Sequence, residues 1–487
     1  SVFGVMTSNM ATPEYQKLDK EWSSKLSAAS DEITLNPKLF QRIKTLYDNK
    51  ASLGLDAKQD RLLTRTYQGF IRRGANLDAQ QKQQLSTMNQ QLAELFATFS
   101  ERVLADESTY LTVTEAELKG VPADVKAALA AAAKAQNKPA GTFAIKNTRS
   151  AVDPVLTFAD DRALREKVWR AFVNRGDNGG ASDTNAIIAK IVKLRADRAK
   201  LLGFQNHAEW RMQDTMAKTP TQAMNLMNRV WPAAVARVKE EVADQQALAN
   251  RLGQKITIEP WDYRYFQEKV RKEKYDLSQD EIKPYFSLDN IIDASYWAAG
   301  ELYGLNFQEV TGTVPTWKQD IRVYSVTDRA TGKQLGLFYR DDFASDGSRS
   351  GAWATTYRSR ASLLGDDVVL GSNNNNFVKP GPGEPVLISL DDAETLFHEF
   401  GHAIHYFLSN VKYPSLGGSQ RDFVEYPSQV NENWLLTPEV LQRFAKHHET
   451  GQPMPQALVD KIQKAQTFNQ GFGTVQYLST AIVDMKV

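Results

Sequence analysis

The chain has 487 residues, a formal net charge of +1 and 24% charged residues, so no basic or acidic excess indicates binding to nucleic acid or to a membrane surface. No apolar run reaches the length of about 18 residues that a membrane-spanning helix needs. The chain contains no cysteine, which excludes disulfide bonds and thiolate metal sites, so any zinc must be held by nitrogen and oxygen atoms.

Helices are predicted over most of the chain before residue 320. Residues 13–102 carry apolar side chains at helical spacing among charged ones, and Asp56 is placed to cap a helix that continues to Arg73. Further helices are predicted over residues 121–136, 160–174, 183–202, 219–251 and 281–304. Two short β-branched segments, residues 109–114 and 141–146, are predicted to be strands.

The pattern changes to β-structure after residue 320. Residues 321–326 and 334–339 alternate apolar and polar side chains around a glycine-containing turn, which predicts a β-hairpin. Residues 385–389 are predicted to be a strand that leads into the next helix, and the asparagine run 373–376 is predicted to lie in a loop or a short strand. A small β-sheet is therefore expected immediately before that helix.

The residues that carry chemistry are concentrated in this helix. His398 and His402 enclose Glu399 in the pattern His-Glu-x-x-His, and the composition predicts only about 0.004 chance occurrences of it. On a helix, residues four apart lie on one face, so both imidazoles can bind one metal ion. Glu399 is rotated by about 100° around the helix axis, so it lies beside the metal and can act as a general base. This arrangement is typical of a zinc-dependent hydrolase.

Two histidines do not complete a catalytic zinc site, which usually has three protein ligands and a water. The extended pattern His-Glu-x-x-His-x-x-Gly-x-x-His would require glycine and histidine at the positions occupied by His405 and Leu408. His405 is therefore interpreted as a neighbour on the helix. The third ligand should be a carboxylate or a distant histidine, and the downstream candidates are Asp422, Glu425, Glu432, Glu439, His447 and His448.

Glu425 is the preferred third ligand among these candidates. It follows a glycine-containing reversal at residues 416–419, which can return a second helix beside the first. Asp422 and Glu425 have the spacing of a capping box, and Glu425 and Glu432 are seven apart and share a helix face. Glu432 is then expected either to hydrogen-bond a ligand imidazole or to form a structural salt bridge.

The segments that carry these residues resemble the signatures of the thimet oligopeptidase and peptidyl-dipeptidase family of zinc metallopeptidases. Residues 395–403 resemble the metal-helix signature of that family, and residues 422–434 resemble its second signature. Within the family, the second segment is most similar to the bacterial peptidyl-dipeptidases, the dipeptidyl carboxypeptidases.

The resemblance implies one zinc ion per chain, with His398, His402 and Glu425 as ligands and Glu399 as general base. It implies a mainly α body of two lobes around a deep channel that admits oligopeptides. The implied reaction releases dipeptides from the free C-terminus of these peptides. An endo-acting oligopeptidase of the same family, or a catalytically silent zinc- and peptide-binding fragment, are the alternatives.

Together with the element pattern, the resemblance predicts a helical N-terminal lobe over residues 1–320 and a catalytic region over residues 321–487, with the small β-sheet next to the zinc-binding helix. The family normally begins earlier and continues beyond the position of Val487, where its substrate-binding histidine and tyrosine residues lie. A C-terminal fragment is therefore expected to complete the active site if the enzyme is cleaved. The absence of cysteine favours a periplasmic location over a cytoplasmic one.

Overall fold

A computed structural model describes residues 2–345, 347–365, 367–381 and 383–487 of the chain. Helices dominate and strands form two sheets, which confirms the predicted mainly α fold. The helices of the first half are α1 (Val2–Asn9), α2 (Pro13–Thr34), α3 (Pro37–Asp48), α4 (Ala57–Arg72), α5 (Ala79–Glu107), α6 (Ala123–Ala135), α7 (Arg149–Phe158), α8 (Arg162–Val173), α9 (Asn185–Leu201), α10 (His207–Arg211) and α11 (Pro220–Arg251). Those of the second half are α12 (Tyr263–Tyr275), α13 (Gln279–Ile282), α14 (Leu288–Tyr303), α15 (Leu390–Leu408), α16 (Glu425–Glu432), α17 (Pro438–Phe444), α18 (Gln456–Ala465) and α19 (Gln470–Lys486). Within the described ranges, no helix is both long enough and apolar enough to span a membrane.

Side-chain caps determine where the N-terminal helices begin. Asp56 accepts the backbone N–H of Gln59, and the Gln59 side chain accepts the backbone N–H of Asp56, so α4 starts with a complete capping box. The cap predicted at Asp56 is therefore confirmed. α3 packs on α4 through stacked rings, with the centroids of Phe40 and Phe70 6.4 Å apart.

Two sheets accompany the helices in the described part of the chain. β1 (Tyr110–Thr114) and β2 (Thr142–Lys146) form an antiparallel pair. The larger sheet has the strand order β3-β4-β5-β7-β6, and its strands are β3 (Leu305–Glu309), β4 (Arg322–Asp328), β5 (Gln334–Phe343), β6 (Trp353–Arg358) and β7 (Val369–Phe377). β5 and β7 are parallel and the other neighbours are antiparallel. The predicted hairpin is confirmed as the β4–β5 pair.

The prediction of a strand over residues 385–389 is wrong. This segment makes one isolated antiparallel bridge, between Leu387 and Ser287. The pairing cannot extend because helix α14 begins directly after Ser287 and helix α15 begins two residues after Ile388. The asparagine run, by contrast, lies inside β7, so of the two settings predicted for it the strand is the observed one.

The larger sheet crosses the predicted division of the chain. β3 lies before residue 320 and pairs with β4, which lies after it. The boundary at residue 320 stays a prediction.

α15 packs against both the larger sheet and α14. The rings of Phe400 and Phe407 each lie 5.7 Å from the ring of Phe338 in β5. A Cβ at Gly336 would lie 2.5 Å from the Phe407 ring, so only glycine allows this contact. Phe397 of the same helix belongs to a core cluster shared with α14, α17 and α18. These apolar contacts hold α15 next to the sheet, as predicted.

Candidate metal centre and active site

Two histidines project from one face of α15. The helix begins with a capping box, in which Ser389 and Asp392 each accept the backbone N–H of the other. His398 and His402 lie one turn apart farther along the helix, with ring centroids separated by 5.1 Å. The four-residue spacing of the motif therefore places both imidazoles on the same face of the helix.

The start of α16 brings Glu425 to these two rings. Glu425 is the first residue of α16. Its Oε2 atom lies 3.2 Å from Nε2 of His398 and 3.1 Å from Nε2 of His402. The structure thus brings together the three residues that the sequence proposes as metal ligands.

This group of side chains fits a zinc ion. Two imidazole nitrogens and one carboxylate oxygen are the ligands of a catalytic zinc site that keeps a fourth position for water. In a tetrahedron with bonds of about 2.0–2.1 Å, neighbouring ligand atoms are about 3.3–3.4 Å apart. The two separations measured from Glu425 Oε2 are close to this value. The Glu425 side chain is 48% exposed, so solvent can reach the group.

Glu432 determines which nitrogen of His398 carries a proton. Its Oε1 atom lies 2.6 Å from Nδ1 of His398. Because a carboxylate only accepts hydrogen bonds, Nδ1 is the donor, and Nε2 of the neutral ring keeps the lone pair that faces Glu425. The hydrogen bond to Glu432 raises the pKa of His398, whereas burial lowers the pKa of His402. The geometry agrees with the first role predicted for Glu432, the orientation of a ligand imidazole.

Glu399 is buried beside the group. The residue is 6% exposed, and its Oε2 atom has no hydrogen-bond partner within the described residues. Burial raises the pKa of Glu399 to about 7, and the neighbouring Glu425 carboxylate contributes in the same direction while His398 opposes it. A carboxyl group with a pKa near neutrality can both accept and release a proton at pH 7, as a general acid–base group requires.

Gly401 allows α16 to approach α15 closely. A Cβ at this position would lie 2.7 Å from the Cα of Ser428 and 2.9 Å from the Cβ of Asn431. At the same contact, the Asn431 side-chain amide donates a hydrogen bond of 2.6 Å to the backbone oxygen of Phe397. The relative position of the two helices that carry the candidate ligands therefore depends on the absence of a side chain at Gly401 and on one buried hydrogen bond.

We expect Gly401→Ala to lower stability and weaken zinc binding, because the added methyl group must push α16 away from α15. Overpacking of this kind costs about 1–3 kcal/mol. Thermal unfolding and competition with a zinc chelator measure the two effects. Gly473→Ala is the matched control, since Gly473 lies within α19 and a Cβ there has no atom within 4 Å. The same loss in both variants would contradict this account of the helix contact.

Asn373 supports α15 from the sheet side. Its Nδ2 atom donates a hydrogen bond of 2.7 Å to the backbone oxygen of Glu399. The motif spacing does not single out Asn373, Asn431 or Gly401 as parts of the site. The one available signal is the asparagine run itself, because asparagines in a buried strand must find polar partners.

Asp422 ties the loop before α16 to a distant part of the chain. Its two carboxylate oxygens accept the backbone N–H groups of Met216 and Ala217, each at 2.9 Å. Although burial acts to raise it, the pKa of Asp422 is lowered overall by these two bonds. Asp422, a candidate ligand by sequence, thus has both oxygens engaged with backbone three residues before Glu425.

We expect Asp422→Ala to weaken zinc binding even though Asp422 is outside the ligand group. Loss of the carboxylate leaves the two backbone N–H groups without their acceptor, which costs about 1–3 kcal/mol of stability. The segment that leads to Glu425 is then no longer held in place. Chelator competition measures the zinc affinity. Asp422→Asn retains one acceptor oxygen, so its zinc affinity should lie between that of the unmodified chain and that of Asp422→Ala. Glu439→Ala removes an exposed carboxylate from the same region and serves as the control. Unchanged zinc affinity in Asp422→Ala would refute the positioning role.

The remaining candidates lie outside the three-residue group. His405 lies in the last turn of α15, as a neighbour on the helix, and Glu439 lies in the first turn of α17. His447 and His448 form a separate group with Glu449. None of these four candidates joins the group of His and Glu ligand atoms at α15 within the described residues.

A cavity of about 320 Å³ adjoins the group. On one side it is lined by His402, His405 and Tyr406 of α15, together with residues 417–421 of the loop before α16. Arg65 of α4 lines it as well. The N-terminal helices therefore contribute a cation to the space beside the candidate metal centre.

The chain is similar in sequence to known peptidases. The sequence profile described as peptidase family M3 matches residues 155–487. The chain is 38% identical to the dipeptidyl carboxypeptidase of Escherichia coli (strain K12) and 37% identical to that of Salmonella typhimurium (strain LT2), in each case over 100% of this chain and 72% of the relative. It is 29% identical to the oligopeptidase A of Escherichia coli (strain K12), over 98% of this chain and 71% of the relative.

Proposed function

The chain belongs to peptidase family M3, and from this premise we propose that it is a zinc-dependent peptidyl-dipeptidase, which releases dipeptides from the free C-terminus of oligopeptides. The single observation that supports the proposal most is the convergence of three ligand side chains beside a buried glutamate. His398, His402 and Glu425 would hold one zinc ion. Zinc, when bound, would lower the pKa of a bound water and polarise the carbonyl group of the substrate.

Glu399 is the residue proposed to move protons. Its carboxylate accepts a proton from the water that attacks the scissile carbonyl carbon, and the C–N bond then breaks. Glu399 passes the same proton to the nitrogen of the leaving dipeptide, so the residue returns to its starting state. The pKa of Glu399, about 7, suits both the uptake and the release of this proton.

The names of the relatives support the proposed release of dipeptides from the C-terminus. Two relatives named dipeptidyl carboxypeptidase are 38% and 37% identical to this chain, whereas the oligopeptidase A of Escherichia coli (strain K12) is 29% identical. The similarity to oligopeptidase A supports the second candidate, an endo-acting oligopeptidase of the same family. The two candidates differ in whether the substrate needs a free C-terminus.

Product analysis separates the two candidates. An oligopeptide and its C-terminal amide are incubated with the zinc-loaded chain, and the products are identified by mass spectrometry. We expect dipeptides released stepwise from the free acid and little cleavage of the amide. Internal cleavage of both peptides would establish the endo-acting alternative, and zinc binding without turnover of either peptide would indicate a silent zinc- and peptide-binding protein.

We also propose a periplasmic location, which the complete absence of cysteine supports. A protein without thiols is not subject to stray disulfide formation in an oxidising compartment. Osmotic-shock fractionation of the native cells tests the proposal, with recovery of the protein in the cytoplasmic fraction as the contrary result.

A further inference from the structure

A second group of metal-ligating side chains lies outside the active site. His447, His448 and Glu449 follow one another in the loop between α17 and α18. One ligand atom from each of the three lies within 4.8 Å of those from the other two. The group thus combines two imidazole nitrogens with one carboxylate oxygen, a set of donors that holds zinc ions in proteins. Neither the proposed reaction nor the cavity beside the candidate metal centre uses any of these residues.

The loop that carries this group is a closed hairpin. The backbone N–H of His447 donates a hydrogen bond of 2.8 Å to the oxygen of Gln452, and the N–H of Gly451 donates one of 2.8 Å to the oxygen of His447. An antiparallel bridge between Lys446 and Pro453 closes the base of the hairpin. Because the backbone is already ordered, an ion bound at its turn costs less conformational entropy than one bound by a flexible segment.

The segment before α14 holds the two histidines in place. The backbone N–H of His448 donates a hydrogen bond of 2.9 Å to the oxygen of Pro284. The ring of Tyr285 meets the ring of His447 edge-on, with centroids 5.2 Å apart and planes at 82°. The two imidazoles are stacked on each other, with centroids 5.2 Å apart and planes at 15°. The rings of two consecutive residues therefore lie on the same side of the loop.

The ligand atoms of this group have few competing contacts. Within the residues that the structure describes, the His448 ring and the Glu449 carboxylate form neither a hydrogen bond nor an ion pair. Both residues are exposed, so an ion in solution can reach them. Nδ1 of His447 accepts the backbone N–H of Glu449 at 3.3 Å, which is longer than the range of about 2.7–3.2 Å for ordinary N–H hydrogen bonds. A metal ion at His447 therefore displaces at most one weak contact.

We propose that His447, His448 and Glu449 bind one divalent transition-metal ion, at a site separate from the proposed catalytic zinc. Imidazole and carboxylate donors together suit zinc, nickel and copper, whereas magnesium and calcium prefer oxygen ligands alone. Binding is weaker than at α15, because the exposed His448 and Glu449 side chains lose their rotational freedom when they close on the ion. The chain therefore binds two zinc ions at saturation, and the second one stabilises the hairpin. The inference does not depend on the proposed peptidase function.

Zinc binding to a chain without the first site tests the inference. His398→Ala and His402→Ala together remove two of the three candidate ligands at α15, and the chain is prepared without an affinity tag. Calorimetric titration of this background chain with zinc chloride should show one ion bound per chain. Adding His448→Asn should weaken this binding at least about tenfold, because loss of a residue that only orients a ligand already costs about 10–100-fold.

Two controls make the result specific. His405→Asn in the same background removes a half-buried histidine that belongs to neither group, and the zinc affinity should not change. Magnesium chloride in place of zinc should give no binding, since magnesium is held by oxygen ligands. Thermal unfolding shows that each variant is folded, and the thermal midpoint of the background chain should rise when zinc is added.

Three results overturn the inference: no zinc bound by the folded background chain, an affinity that His448→Asn leaves unchanged, or magnesium bound as tightly as zinc. If the background chain does not fold, metal analysis of the otherwise unmodified chain at zinc saturation decides instead. Two ions per chain are expected there and one in His448→Asn, and the same count in both would also overturn the inference. Peptide turnover is measured separately, and absence of dipeptide release by the unmodified chain would contradict the proposed function alone.

Discussion

Glu399→Gln is expected to reduce peptide turnover by about 10²–10⁴-fold while leaving the zinc content unchanged. Glutamine has nearly the same shape as glutamate but cannot take up the proton of water. Glu399 is buried next to His398 without a described hydrogen-bond partner for Oε2, so the substitution breaks no contact that holds the metal ligands.

Steady-state kinetics and metal analysis of the same preparation measure both effects. Glu394→Gln is the matched control, because Glu394 lies in the same helix, and burial raises its pKa to about 7 as well, but it is not part of the ligand group. The control should retain activity. Full activity of Glu399→Gln would refute its assignment as general base, and loss of zinc from this variant would assign it a structural role at the metal.

Glu425→Ala is expected to weaken zinc affinity by more than about 100-fold, since loss of a residue that only hydrogen-bonds a ligand already costs about 10–100-fold. Glu425 Oε2 is the oxygen that lies within 3.2 Å of both imidazole nitrogens. Without it, two neutral histidines remain, and the site has too few ligands for a catalytic zinc.

Chelator competition and the rise in thermal midpoint on adding zinc measure this loss, because a metal that binds only the folded state stabilises it. Glu432→Gln provides a graded comparison. Its carboxylate contacts Nδ1 of His398, so we expect a smaller loss of about 10–100-fold. An unchanged zinc affinity in Glu425→Ala, or a larger effect in Glu432→Gln, would remove Glu425 as the third ligand.

The fold was predictable where its signals are local. Helical periodicity and the cap at Asp56 predicted α4, and the turn between alternating segments predicted the β4–β5 hairpin. The strand predicted over residues 385–389 failed because its length depends on where its partner segment enters α14, which no local pattern records. The pairing of β3 with β4 across residue 320 also depends on how separate segments meet.

In the candidate site, too, the sequence predicts the arrangement of residues that are close together in the chain. The sequence alone determined that His398 and His402 lie on one face of a helix with Glu399 beside them, because a helix of 3.6 residues per turn sets their directions from their spacing. The choice of Glu425 came from the sequence as a preference among six candidates, supported by the family resemblance.

Only the tertiary structure decided how Glu425 reaches the two histidines. The close contact at Gly401, the hydrogen bonds from Asn431 and Asn373, and the contact of Asp422 with the backbone of Met216 and Ala217 each join segments that are distant in sequence. Arg65 likewise reaches the space beside His402 from α4. These contacts depend on the packing of whole helices and loops, and a spacing of a few residues cannot encode them.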